Sequence, residues 1–166
     1  SIRRQRQMCI RDRVSAMRGH HWIIENNRIE WCNATGIDLG TQDFGADRSF
    51  QVGDDIVRNN IIRNIGICGI SGPGLNNILF ENNLVEYIGL RDMEENRETG
   101  GMKFHNPQNT LVRNNIFRHI DGTSGVWFDI GATNCRIANN VFADIETIFA
   151  GIWMEMHFEQ NLIDHN

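Results

Sequence analysis

The sequence predicts an all-β chain wound as a right-handed, single-stranded parallel β-helix, a solenoid whose coils stack one on the next. Three observations predict it. A phrase ending in paired asparagines recurs along the chain, a second phrase of the form Gly-apolar-x-apolar follows each copy, and neither has helical spacing.

The first phrase is a short apolar run, two asparagines, then an apolar pair. Its copies are Ile23-Ile24-Glu25-Asn26-Asn27, Ile56-Val57-Arg58-Asn59-Asn60, Leu79-Phe80-Glu81-Asn82-Asn83, Leu111-Val112-Arg113-Asn114-Asn115 and Arg136-Ile137-Ala138-Asn139-Asn140. Leu162-Ile163-Asp164-His165-Asn166 begins a sixth. Successive starts fall 33, 23, 32, 25 and 26 residues apart. The shorter spacings suit one coil of three strands, and the longer ones coils that carry loops. Asparagine tolerates left-handed backbone at a tight corner, so stacked coils should align these residues into a ladder.

The second phrase reads Gly36-Ile37-Asp38-Leu39, Gly69-Ile70-Ser71-Gly72, Gly101-Met102-Lys103-Phe104, Gly125-Val126-Trp127-Phe128 and Gly151-Ile152-Trp153-Met154. Alternating apolar residues mark strands with one face inside and one outside. Two polar insertions, residues 41–54 and 89–99, read as rim loops of the kind that wall binding grooves. The last residue falls inside a repeat and neither end carries a polar cap, which reads as a piece of a larger domain of about five to six coils. Such a piece, with open coil ends, is expected to be poorly soluble and nearly inactive in isolation.

Residues 1–13 are basic and lack this rhythm. Met8-Cys9-Ile10-Arg11-Asp12 resembles a translated sequencing adapter, so the fold is expected to occupy residues 14–166. The first thirteen residues hold five of sixteen basic and one of 21 acidic residues. The remainder therefore carries eleven basic against twenty acidic residues, a net charge of −9. Such a body repels phosphate backbones, and nucleic acid is not an expected partner. No apolar stretch has the length of a membrane-spanning helix, and no membrane partner is expected. No secretory signal is visible, which says little about the compartment; it is left open, with the cytoplasm slightly favoured over secretion. Cys32, Cys68 and Cys135 have neither disulfide nor zinc spacing and read as buried thiols.

Strand alternation fixes which residues share the outer face. After each glycine, positions two and four face inward, so positions three and five face out. Position three reads Asp38, Ser71, Lys103, Trp127, Trp153 down the coils, and position five Gly40, Pro73, His105, Asp129, Glu155. Asp129 and Glu155 should thus be neighbours on adjacent coils, about 4.7–4.9 Å apart at the backbone. Retaining glycosidases hold their two carboxyl groups about 5–5.5 Å apart, and inverting ones about 6.5–9.5 Å. The expected spacing favours retention. Close carboxyls also push each other's pKa values apart, leaving one ionised and one protonated.

Trp127 and Trp153 would offer apolar faces to a sugar ring. Lys103 reads as a counter-ion for Asp129, a substrate hydrogen-bond donor or a merely solvated lysine, and His105 as a group that tunes or orients the acids or as a surface histidine. His157, just past Glu155, reads first as a solvated or packed histidine and otherwise as part of the site lining. Outward carboxylates on a solenoid are ordinarily solvated, but stacked like charges cost stability, which disfavours a purely structural origin. His105 and Glu155 lie two coils apart, too far to share one metal ion, and neither a metal nor a cofactor is expected.

Gly101-Met102-Lys103-Phe104-His105, Gly125-Val126-Trp127-Phe128-Asp129 and Ile152-Trp153-Met154-Glu155 resemble the active-site strands of glycoside hydrolase family 120, β-xylosidases built on a right-handed β-helix. The resemblance runs over roughly residues 19–166. It implies Asp129 as nucleophile, Glu155 as acid/base, and Lys103 and His105 as a Lys-x-His pair on the preceding coil. It also implies an oligosaccharide substrate of xylose type. Family members carry further coils and an inserted β-sandwich domain that this chain lacks, and Met156-His157-Phe158-Glu159 departs from the family pattern. Two other readings remain: a uronate lyase or epimerase with Lys103 or His105 as base, and a non-catalytic glycan-binding solenoid.

Overall fold

The computed structural model describes residues 14–41, 51–90, 98–157 and 159–166. The adapter-like segment and the middles of both insertions, 42–50 and 91–97, lie outside the described residues. Every paired strand among them runs parallel to its neighbour, and each coil lies directly on the one before.

The first phrase forms one wall. Ile23–Glu25, Ile56–Arg58, Leu79–Glu81, Leu111–Arg113, Arg136–Ala138 and Leu162–Asp164 stack in that order into a six-stranded sheet. Their middle residues point inward, so Val57, Phe80, Val112 and Ile137 fall in one buried column. Flanking residues point out and pair between coils, as in Arg58–Glu25 and Arg113–Glu81, each at 2.7 Å.

A second wall holds Arg28–Cys32, Ile61–Ile65 and Leu84–Ile88, and a third holds Val14–Ser15, Thr35–Asp38, Cys68–Pro73 and Gly100–His105. The sequence suggests separate strands for these walls throughout. In the last two full coils, however, Ile116–Asp129 and Val141–Met154 are single fourteen-residue strands that run through both walls and join them into one nine-stranded sheet. A register shift between Gly122 and Ser124 takes the strand around the bend as a bulge. Ile70, Met102, Val126, Phe104 and Phe128 of the third wall are fully buried and close the core.

Two columns lock the register. Asn26, Asn59, Asn82, Asn114 and Asn139 all take positive φ between 55° and 60°, and His165 takes the same conformation in the sixth copy. The second asparagine of each pair builds the expected ladder. The Oδ1 atoms of Asn60, Asn83, Asn115, Asn140 and Asn166 each accept from both the backbone N–H and the side-chain amide of the asparagine one coil earlier, at 2.8–3.1 Å. Each side-chain amide also donates to a backbone carbonyl of the preceding coil, as Asn115 does to Phe80 at 3.0 Å. One buried side chain thereby satisfies polar groups on two coils.

The other column is glycine. A Cβ on Gly36, Gly69, Gly101 or Gly125 would lie 2.4–2.6 Å from the carbonyl oxygen of the next coil's glycine. The repeated glycine is thus a close-packing requirement, and it brings the third wall's strands together where the outward residues stand.

Two stability predictions follow from these columns. Gly101→Ala, which would force a methyl group against Gly125 and Phe117, is expected to cost about 1–3 kcal/mol. Gly151→Ala, where nothing lies within 4 Å, should be nearly neutral; equal losses in thermal melting would refute the packing explanation. Asn115→Ala strands buried polar groups on both neighbouring coils and should cost about 1–3 kcal/mol by denaturant unfolding.

Candidate active site

The third wall carries the expected column. Asp38, Ser71, Lys103, Trp127 and Trp153 stand in direct register, as do Pro73, His105 and Asp129. Glu155 lies one residue beyond the end of its strand. Its backbone N–H still donates to the Phe128 carbonyl at 2.9 Å, which continues the ladder and seats it on the coil next to Asp129.

The side chains converge. Asp129 Oδ2 lies 2.9 Å from His105 Nδ1 and 3.4 Å from Lys103 Nζ. Glu155 Oε2 accepts the indole N–H of Trp127 at 3.1 Å. These contacts give the two acids opposite character. Burial tends to raise Asp129, but its hydrogen bond to His105, the charge of His105 and the charge of Lys103 outweigh that and hold the carboxyl below the usual range. Glu155 is raised by burial, then by the negative charge of Asp129 and a hydrogen bond to it, against smaller opposing effects of Trp127 and Lys103. The two acids are thus shifted in opposite directions, Asp129 held toward its ionised form and Glu155 toward its protonated one, with a hydrogen bond between them.

Three placements decide between the sequence readings. The outward column points away from the core but is not solvated: Lys103 is 3%, His105 8% and Asp129 6% exposed, with Glu155 half-buried beside them. Trp127 does not offer an open face. Lys103 Nζ sits 3.5 Å from its ring centroid, and Trp153 stacks on it with centroids 4.3 Å apart. Phe149 in turn stacks on Trp153 at 4.1 Å. The coil repeat explains this column, because aromatic rings at matching positions on successive strands stack on each other before they can stack on a ligand. Trp127 works instead through its N–H, which fixes Glu155. His157 is half-buried, its Nδ1 accepting the Ala132 backbone N–H at 3.1 Å, and burial holds its pKa down. It lies in the field of Asp129 but is anchored to the backbone.

Sequence reasoning missed Glu98. It belongs to the charged insertion before the Gly100–His105 strand and has no repeat position, so no periodic signal marks it. Its Oε1 lies 3.1 Å from Lys103 Nζ, while its side chain remains 45% exposed. Cys32, Cys68 and Cys135 are buried thiols outside any disulfide, as read from their spacing. Burial, followed by the charge of Glu98, pushes the Cys68 thiol up to about 12, which leaves it no thiolate character at neutral pH.

Among solved structures, the chain resembles XylC in its complex with xylose, with a TM-score of 0.70 and 21% identity over 91% of this chain. The matched region is 26% of XylC, so the chain spans about a quarter of that protein's length. It also resembles the periplasmic alginate epimerase AlgG, with a TM-score of 0.55 and 13% identity over 89% of this chain and 36% of AlgG. Both likenesses concern the fold. Comparison with curated protein sequences finds no match. The family described as "Right handed beta helix region" matches residues 9–166. With parallel coils, an asparagine ladder and this match over nearly its whole length, the chain belongs to the right-handed β-helix family.

Proposed function

We propose that the protein is a retaining glycoside hydrolase acting on xylose-type sugars, with Asp129 as nucleophile and Glu155 as acid/base. The observation that carries this reading is the seating of two carboxyl groups on adjacent coils, Asp129 against His105 and Lys103 and Glu155 against the Trp127 indole, which shifts the two acids in opposite directions. A water-activating, inverting arrangement would need them farther apart. The fold likeness to a protein solved with xylose supports the sugar class.

In the first step Asp129 attacks the anomeric carbon while Glu155 gives its proton to the departing glycosidic oxygen. This breaks the C–O bond and leaves a glycosyl ester on Asp129. In the second step Glu155, now ionised, takes a proton from water. The resulting hydroxide adds to the anomeric carbon, the ester bond breaks, and Asp129 regains its negative charge. His105 and Lys103 keep Asp129 ionised and aimed. Trp127 holds Glu155 in place through its indole N–H. A uronate lyase or epimerase would use Lys103 or His105 as a free base, and both are engaged with Asp129.

In the intact enzyme, Asp129→Ala and Glu155→Gln should each lower kcat on an aryl β-xyloside by about 10⁴-fold. The product released first should be the β-anomer by NMR; an initial α-anomer would contradict the mechanism. Activity requires Asp129 ionised and Glu155 protonated. The acid limb of the kcat/KM profile should therefore fall below the usual carboxylate range and the alkaline limb above it. Glu155→Gln should abolish the alkaline limb in whatever activity remains, and an unchanged limb would assign it to another group.

A further inference from the structure

Lys103 lies against the acid pair, and its ammonium is engaged on several sides. It lies 3.4 Å from Asp129, 3.1 Å from Glu98 and 3.5 Å above the Trp127 ring, and it is 3% exposed. His105, the other basic group at the pair, is tied to Asp129 at 2.9 Å. Among the described residues, then, three carboxyl groups (Glu98, Asp129 and Glu155) face two basic groups already committed to them. Glu98 is the outermost of these contacts, half-exposed where Lys103 is buried.

A sugar carrying its own carboxylate would meet this cluster at a disadvantage. The Asp129 carboxylate already repels it, and the Lys103 ammonium that could neutralise it is paired with Glu98, the more exposed of its two carboxyl partners. Selectivity in such a site comes from repulsion of the wrong substrate as much as from attraction of the right one. We propose that Glu98 is a specificity-determining residue: by occupying Lys103, it excludes uronate sugars and restricts the site to neutral pyranosides. This inference rests on the glycosidase reading for its substrate class, but the Glu98–Lys103 contact exists independently of it.

The test uses a matched pair of ligands. A β-D-glucuronide is a β-D-xyloside with a carboxylate added at C5, so the two differ by the group in question. In the intact protein, wild type should hydrolyse p-nitrophenyl β-D-xyloside in strong preference to the glucuronide. Glu98→Gln, which keeps the side chain's size and removes its charge, should narrow the kcat/KM ratio at least tenfold, chiefly through a lower KM for the glucuronide. A variant that merely disturbed the fold would lower both substrates together and leave the ratio unmoved. That result, or an unchanged ratio in an active variant, overturns the proposal.

Equilibrium binding of xylose and glucuronate, measured by calorimetry on the same two proteins, separates this inference from the mechanism. If neither glycoside is hydrolysed but wild type binds xylose over glucuronate and Glu98→Gln narrows that preference tenfold, the hydrolase reading fails and the specificity role stands. If wild type binds glucuronate as well as xylose, or binds neither sugar, the specificity role fails as well.

Discussion

Everything at the site depends on direct, in-register stacking of parallel strands. A repeat distance of about 4.7–4.9 Å between coils means that residues at matching positions must interact, whatever their chemistry. Two columns enforce that register. The asparagine ladder ties the corner between the first two walls, and the glycine column lets the third wall's strands approach without a Cβ between them. A one-residue slip would move the Lys103–Trp127–Trp153 and His105–Asp129–Glu155 columns from the outer face into the core.

The same stacking makes the two acids unequal. Asp129 has His105 and Lys103 on the coil before it and Glu155 on the coil after it. One carboxyl therefore faces positive partners, and the other faces a negative one. No difference in residue type is needed to set one pKa low and the other high; position along the stack supplies it. The aromatic column performs a related service. Trp127 is packed between Lys103 and Trp153, and its N–H donates to one oxygen of Glu155. On the proposed mechanism, the acid that donates toward the glycosidic oxygen is thereby oriented before any ligand arrives.

Much of this was legible in the sequence, because a solenoid converts spacing into geometry. The Asn-Asn pairs announced both the left-handed corners and the ladder, down to Asn166. Alternation after each glycine gave the outer column of Lys103, His105, Trp127, Asp129, Trp153 and Glu155 residue by residue. What the pattern could not give was anything lateral to the repeat. The burial of Lys103 and Asp129 depends on what lies over the wall. The self-stacking of Trp127 and Trp153 depends on ring orientation. Glu98 comes from an insertion that has no counterpart on other coils, and so no periodic argument reaches it. The fusion of strands in Ile116–Asp129 and Val141–Met154 was likewise hidden, since a bulge and a tight turn look alike in a polar Gly-containing stretch.

On the proposed mechanism, Asp129 forms a covalent bond to the anomeric carbon while Glu155 handles protons. A 2-deoxy-2-fluoro-β-xyloside with a good leaving group slows release of the glycosyl ester more than its formation, so the intermediate accumulates. Peptide mass spectrometry of the intact enzyme after such treatment should find the fluorosugar on Asp129. Label on Glu155, or hydrolysis of the reagent with no residue labelled, would contradict the account.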